Sequence, residues 1–492
     1  MIASVVTSRE RLLREKLSLG RMASLLRNNP GDRFVAPQVH ARAITAGLLL
    51  LHGYTRSFSS WMHFFSHLLR SYSLGGFPRE AMLFYVYHRR SIDFGRNSSS
   101  PASFDSFTYT FLLNACVGIG CRVPGVQIHG TTLKTGFSSH VFVQTALVSM
   151  YLSCKCPSDA LRVFEEMPER NPVSWNVLIS GLINLDEFKS AERIFFDMPE
   201  RTIVSWTSMI DGYTRANMPR EAVNLFRRMG SDDGIMPSEI TLLAIFPTIS
   251  NLGDVRMCRS LHCYGEKMAF YDCDIRVVNC LIDSYSKCSS ISCASRFFEE
   301  IPTQRKNLVS WSSVISAYAM HGMGQEAIES FNRMETSGWK PNGVVFLSLL
   351  NACSHGGFME EGLKFFKRMV NEFRIEPGIK HYGSLIDLLG RAGRLEEAEK
   401  TAANVVPQNI TNNVIWRTLL GACTFHGDIE RAERVGRKIL EMETRYGGDY
   451  IAMANVCASA GKYEDVEVWR GMMDHSAASK VPGYSFCGGL NG

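Results

Sequence analysis

The chain has 492 residues, 45% of them hydrophobic and 21% charged, and a formal net charge of +5. That length is too great for one compact core, and that composition excludes a largely disordered chain. The longest apolar stretch, Ala43 to Leu51, is far short of the roughly 20 residues of a spanning helix, so no membrane segment is expected.

The isoelectric point near 8.5 tolerates a polyanion without demanding one, since strongly basic nucleic-acid domains often lie above about 9. The 14 cysteines include no C-x-x-C. The nearest pairs, Cys154/Cys156, Cys258/Cys263 and Cys288/Cys293, lack zinc-site spacing with histidines nearby. They are read as buried thiols in a reducing compartment, and neither metal nor cofactor is expected. There is also no P-loop, G-x-G-x-x-G or G-x-S-x-G.

In chain order, residues 1–36 come first. Arg9, Arg11, Arg14, Lys16, Arg21 and Arg27 stand against only Glu10 and Glu15 up to residue 30, with Ser4, Ser8, Ser18 and Ser24 interleaved. Basic, serine-containing and acid-poor describes an organellar transit peptide in a disordered leader. Mitochondrion is favoured, with chloroplast as the alternative. Residues 37–61 read as the second half of a degenerate repeat.

From residue 62 the sequence repeats itself. PVSWNVLISGLINLDEFKSAERIFFDMPER from Pro172, IVSWTSMIDGYTRANMPREAVNLFRRM from Ile203 and LVSWSSVISAYAMHGMGQEAIESFNRM from Leu308 share V-S-W, an apolar pair, a break, then Ala, Phe and Met. Numbering each unit from two residues before that Ser places unit starts at 62, 106, 141, 172, 203, 239, 275, 308, 343 and 379. Position 20 is Ala81, Ala160, Ala191, Ala222, Ala294, Ala327 or Ala398, with Gly362 once. Position 24 is Phe164, Phe195, Phe226, Phe298, Phe331 or Phe366, and position 27 is Met167, Met198, Met229, Met334 or Met369.

Positions 4, 7, 8 and 11 make one apolar face at helical spacing, and positions 20, 23, 24 and 27 make another. Each unit is therefore a helical hairpin, with a small residue at position 20 letting its helices approach closely. One hairpin cannot bury both faces, but a stack can. The fold expected is all-α, a right-handed superhelical α-solenoid of helix-turn-helix repeats. The Phe and Met stripe is core. A second unit type carries Gln38-Val-His-Ala, Gln127-Ile-His-Gly and Ser260-Leu-His-Cys; His40, His129 and His262 are read as packing or capping residues. The polar stretch 89–104 reads as a surface loop inside the first complete unit.

At these motifs the chain resembles plant pentatricopeptide repeat proteins of the PLS class, whose P, L and S units alternate in length. The likeness runs from about residue 37 to 486 and divides 62–412 into ten repeats. HYGSLIDLLGRAGRLEEAEK (381–400) resembles the last S-type repeat. VIWRTLLGACTFHGDIERAER (414–434), DYIAMANVCASAGKYEDVEVWRGMM (449–473) and Val481–Phe486 resemble two hairpins of an E-type extension, 413–486, leaving 487–492 as a tail. Some relatives continue into a deaminase-like DYW domain, which needs H-x-E and C-x-x-C zinc chemistry. Neither motif occurs in this sequence.

The resemblance implies single-stranded RNA binding, one base per unit, read by position 5 and the last residue of each unit. Those pairs are Ser66/Asp105, Thr110/His140, Thr145/Asn171, Asn176/Thr202, Thr207/Ser238, Leu243/Asp274, Asn279/Asn307, Ser312/Asn342, Leu347/Gly378 and Gly383/Asn412. It implies G for Ser66/Asp105, and A for Thr145/Asn171 and Ser312/Asn342. It implies a pyrimidine for Asn279/Asn307 and Asn176/Thr202, and a purine for Thr207/Ser238. Position-2 residues would stack on the bases: Phe142, Val173, Val204 and Val309, joined by Phe107, Ile240 and Val344. The upstream pattern is then G-n-A-Y-R-n-Y-A-n-n, ending about four nucleotides before an edited cytidine. The function implied is site recognition for cytidine-to-uridine editing of organellar RNA. A deaminase would be supplied in trans by a DYW-type pentatricopeptide repeat protein, together with other editing cofactors. Splicing, transcript stabilisation or translation is the alternative, and no catalytic role is expected for the chain itself.

Overall fold

A computed structural model describes residues 19–46, 58–94, 104–407 and 413–476. The basic leader up to residue 18, parts of the degenerate repeat and of the stretch 89–104, and the tail 487–492 lie outside these. The described residues are helical almost throughout, and the chain divides into two compact units, Met1–Ile245 and Phe246–Gly492. Within each, successive hairpins stack so that their first helices pack side by side, and each second helix packs on its own first helix.

The first helices begin at the unit starts, as in Ser106–Ile119, Val141–Ser153, Pro172–Asn184, Ile203–Arg215, Ile275–Lys287, Leu308–Met320, Gly343–Gly356 and Ile379–Arg391. Helical structure is found earlier than expected. Leu19–Asn28 is a helix, inside the stretch read as a disordered leader, and buries Met22, Ala23 and Leu26. It pairs with Val35–Thr45 as the first half of the degenerate hairpin. Its apolar residues are too few for a hairpin signature to be visible in sequence.

Between the helices of each hairpin, position 15 takes the left-handed conformation without exception from residue 62 onward. Gly76, Gly120, Gly253, Gly322, Gly357, Gly393, Gly427 and Gly461 sit there, but so do Lys155, Asp186, Asn217 and Ser289. Only glycine adopts that backbone freely, so the non-glycine units carry local strain. The backbone turn is fixed by the hairpin, not by the residue.

Position 20 is buried in every unit where it is Ala. At Gly362 a Cβ would come within 2.5 Å of Leu388 and 3.1 Å of Cys353, so glycine there permits a closer approach than alanine. The Met stripe is fully buried, but the Phe stripe is not uniform. Phe226 and Phe366 are only half-buried, and Leu225 and Phe365 at position 23 fill the core instead. The other hairpins with Phe at position 24 bury both positions, as at Val163 and Phe164 or Ile194 and Phe195, whereas these two bury position 23 alone.

Two kinds of joint connect consecutive hairpins. In one, Phe at position 24 meets Trp at position 4 of the next unit edge-on: Phe164–Trp175 at 4.8 Å, Phe195–Trp206 at 4.8 Å and Phe298–Trp311 at 5.0 Å between ring centroids. A cation from the intervening loop covers the Phe ring, Arg170, Arg201 and Lys306 in turn. In the other, a histidine of the second helix bonds a tyrosine at position 11 of the next unit. His40–Tyr72, His129–Tyr151 and His262–Tyr285 are 2.7, 2.8 and 2.8 Å apart. The three histidines are packing residues, and the tyrosines that pair with them are a regularity sequence reading missed.

Candidate nucleic-acid interface

Each unit's last residue immediately precedes a helix whose first N–H groups lack intrahelical partners. Asp105, Asn171, Thr202, Asn307 and Asn342 all have extended backbones, and each accepts a hydrogen bond from the N–H three residues on. Ser238 does the same from Thr241 at 3.4 Å. The residues expected to read bases are thus also helix N-caps, a role their chemistry serves equally well. The signal, Ser, Thr, Asn or Asp just before an apolar helix, was present in the sequence.

The V-S-W motif resolves into three jobs. Its Val is position 2 and faces solvent. Its Ser is the N3 partner of the cap and is buried: Ser205 and Ser310 accept from the backbone N–H of Thr202 and Asn307, closing capping boxes. Its Trp is the joint residue described above.

Position 5 lies one turn further along the first helix. Asn176 donates to the Thr202 hydroxyl at the 3.5 Å limit, and Asn279 donates to Asn307 Oδ1 at 3.4 Å. Ser66 reaches Asp105 through Thr108: the Ser66 and Thr108 hydroxyls are 3.0 Å apart, and Thr108 donates to Asp105. Thr207 reaches Ser238 through Thr241 in the same way, at 2.8 and 3.2 Å. Thr145 and Ser312 differ. Their hydroxyls donate to the carbonyls of Val141 and Leu308 four residues back, and among the described residues no hydrogen bond joins them to Asn171 or Asn342. Four of the six pairs to which a base was assigned are therefore linked, directly or by one hydroxyl, and two are not.

The side-chain carbonyl oxygens of Asn176 and Asn279 are buried and accept no hydrogen bond. An unsatisfied buried acceptor costs about 1–3 kcal/mol, and a donor on a bound molecule would recover it.

Beside these polar pairs each compact unit carries an apolar ladder of its own. Phe107, Phe142, Val173, Val204 and Ile240 in the first unit, and Val309 and Val344 in the second, are 52–60% exposed. Apolar side chains are rarely left so exposed at a recurring position. The Phe107 and Phe142 rings lie near-parallel with centroids 6.3 Å apart. A planar base between two rings needs about 7 Å, twice the ~3.5 Å carbon contact distance, so a small opening would admit one. The ladder is not continuous: position 2 is Arg276, paired with Asp274, and Lys380 in two units.

Burial pushes the thiols of Cys116 and Cys353 up to about 12 and that of Cys423 to about 11, which keeps them protonated and unreactive. Among the described residues one trio, Glu433, Cys457 and Asp465, brings ligand atoms within 4.8 Å. Lys462 already pairs with Glu433 at 3.2 Å, and burial raises the Cys457 thiol.

Comparison with known proteins identifies the repeat. The PPR repeat matches residues 145–172, 173–203, 204–233, 344–372 and 380–401, the PPR repeat family matches 306–355, and the E motif matches 426–487. The chain is 50% identical over 473 residues to a mitochondrial pentatricopeptide repeat-containing protein of Arabidopsis thaliana, At1g09220, covering 95% of this chain and 93% of that one. The chain belongs to the pentatricopeptide repeat family. Its repeats and E motif make it a PLS-class member with an E extension. A second Arabidopsis relative, At2g20540, is 41% identical over 77% of this chain and 70% of its own. The fold is similar to the maize pentatricopeptide repeat protein PPR10, whose structure in complex with an 18-nt psaJ RNA element has a TM-score of 0.47 at 15% identity, over 97% of this chain and 76% of that one. The matched E motif begins at 426, within the hairpin Asn413–Met442, later than the expected start at 413. The first helix of that hairpin still has the V-x-W pattern of a repeat, in Val414 and Trp416.

Proposed function

We propose that this pentatricopeptide repeat protein binds single-stranded RNA in a plant organelle and selects the site of cytidine-to-uridine editing. The observation that carries the reading is the recurrence of exposed apolar residues at position 2 beside polar residues at position 5 and the last position, the two polar groups being tethered to one another next to Val173 and Val204. Stacking on the apolar residue supplies affinity without regard to sequence, and the polar pair discriminates base edges. The buried, unsatisfied oxygens of Asn176 and Asn279 support a ligand that brings donors, as nucleobases do.

Several finer points belong to the same proposal. The base-reading residues are Ser66/Asp105, Thr145/Asn171, Asn176/Thr202, Thr207/Ser238, Asn279/Asn307 and Ser312/Asn342, with stacking on Phe142, Val173, Val204 and Val309. In this reading a deaminase acts in trans, carried by a DYW-type partner that docks on the E extension. The organelle is the mitochondrion, as in the name of the Arabidopsis relative At1g09220.

The test is sequencing of organellar transcripts from plants lacking the protein. One or a few cytidines left unedited, each preceded by the pattern above, is the expected result. Normal editing everywhere, with an unspliced or shortened transcript, would replace the editing role with one in RNA processing.

A further inference from the structure

The two linkages through a bridging hydroxyl have a consequence for which base is accepted. We propose that Thr108 is a positioning residue that makes the Ser66/Asp105 pair selective for guanine, by fixing the direction of the Ser66 hydroxyl proton. The inference rests on the base-reading proposal above and adds a third residue to it, contributed by the following unit.

Thr108 is fully buried at position 3 of its unit. Its hydroxyl lies 2.5 Å from Asp105 Oδ1 and 3.0 Å from Ser66 Oγ. An ionised carboxylate only accepts, and a threonine hydroxyl has one proton. That proton is committed to Asp105. The Ser66 hydroxyl must then donate to Thr108, so toward a base Ser66 offers only lone pairs. Asp105 Oδ1 is occupied twice, by the backbone N–H and the hydroxyl of Thr108. Its Oδ2 takes no hydrogen bond among the described residues, and Asp105 is exposed. The Ser66/Asp105 pair thus presents two acceptors and no donor. Guanine alone has two donors on adjacent Watson–Crick atoms, N1–H and N2–H. Adenine puts an acceptor, N1, beside its N6 amine, and that N1 would face a lone pair. Without the Thr108 hydroxyl the Ser66 proton is free to turn outward and bond adenine N1.

The other units supply internal comparisons. Thr207, Thr241 and Ser238 have the same connectivity, but the chain ends on a serine that can itself donate. Nothing there fixes the proton direction, and a strict preference is not expected. In the unit that follows Ser312/Asn342, position 3 is Val345, so no relay exists.

The full-length protein would be mixed with a pool of single-stranded RNA oligonucleotides randomised at every position, and the bound RNAs sequenced. Asp105→Asn identifies the column read by this pair, as the one column that changes. In the wild type that column should favour G over A by roughly tenfold or more. Thr108→Val, which keeps the shape, should reduce this to about twofold or less by raising A, with the other columns unchanged; Thr108→Ser should restore it. A G preference that survives Thr108→Val while Asp105→Asn abolishes it would overturn the relay. If Asp105→Asn moves no column, the base-reading proposal itself fails at this unit, and the relay with it. Should Thr108→Val not fold, judged by its melting transition, the second relay decides. Ser238→Asp keeps a good helix cap and should convert its column to G. Combined with Thr241→Val it should not, and equal conversion by both variants would refute the inference.

Discussion

The Phe–Trp and His–Tyr joints perform the same mechanical task with opposite chemistry. At Phe195–Trp206 two buried rings meet edge-on under the Arg201 guanidinium, which is held in turn by Asp233 at 2.7 Å. The Trp206 N–H also donates to Asp233, so the joint is apolar with its one polar atom satisfied. At His129–Tyr151 the contact is a hydrogen bond between a half-buried imidazole and a phenol. The first joint depends on area and shape, the second on a proton. Their coexistence within one unit shows that a repeat stack needs a large side chain at each seam but not any particular chemistry there.

Five measurements would break or sharpen this contrast. Trp206→Ala removes a fully buried ring and should cost about 3–5 kcal/mol in denaturant unfolding; a loss below about 1 kcal/mol would mean that the seam is not formed by the ring. Asn171→Asp, at the N-cap leading into the Trp175 joint, keeps a good cap and should barely change stability. Under the base-reading proposal it should nevertheless move that unit's preference from A toward G by about 1–3 kcal/mol in binding to A- and G-substituted RNA. Tyr151→Phe deletes one hydrogen bond at the polar joint and should cost about 1 kcal/mol.

Acid should separate the joints more cleanly. Burial lowers His40, His129 and His262 below their ordinary value of 6.5. In the window below 6.5 the unfolded chain therefore binds more protons than the folded one, and stability falls with pH. It is fully present above 6.5. Melting temperatures at about pH 7.5 and about pH 5.5 should show the drop, and His129→Gln should shrink it. A wild-type curve flat across that range would show that the histidines carry no linkage. Smallest is Lys155→Gly, at a left-handed turn with φ 58°. It should stabilise by roughly 0.5–1 kcal/mol, the strain relieved less the added chain entropy.

The helical hairpin, its repeat and the class of core residue were legible before any coordinates, because a period of 3.6 within each helix and a recurrence near 31–36 residues can each be satisfied by one architecture. Ala191, Phe195 and Met198 announce a buried face by type and spacing alone. The candidate interface was legible only in part. The residues at position 5 and the last position are polar and recur, so they could be found; that the latter are also N-caps followed from the same sequence and was passed over.

What sequence could not decide were relations between units. Tyr72, Tyr151 and Tyr285 look like ordinary position-11 core residues until the histidines of the preceding helices are seen against them. Thr108 and Thr241 look like mere N3 partners of their caps until position 5 of the preceding unit is found within 3.0 Å. The sequence by itself determined the helices, their pairing into hairpins and the face each buries, since these follow from local periodicity along one chain. Only the tertiary structure decided which side chain of one hairpin meets which of the next, because such contacts depend on the offset between stacked helices, and a one-dimensional repeat does not encode that offset.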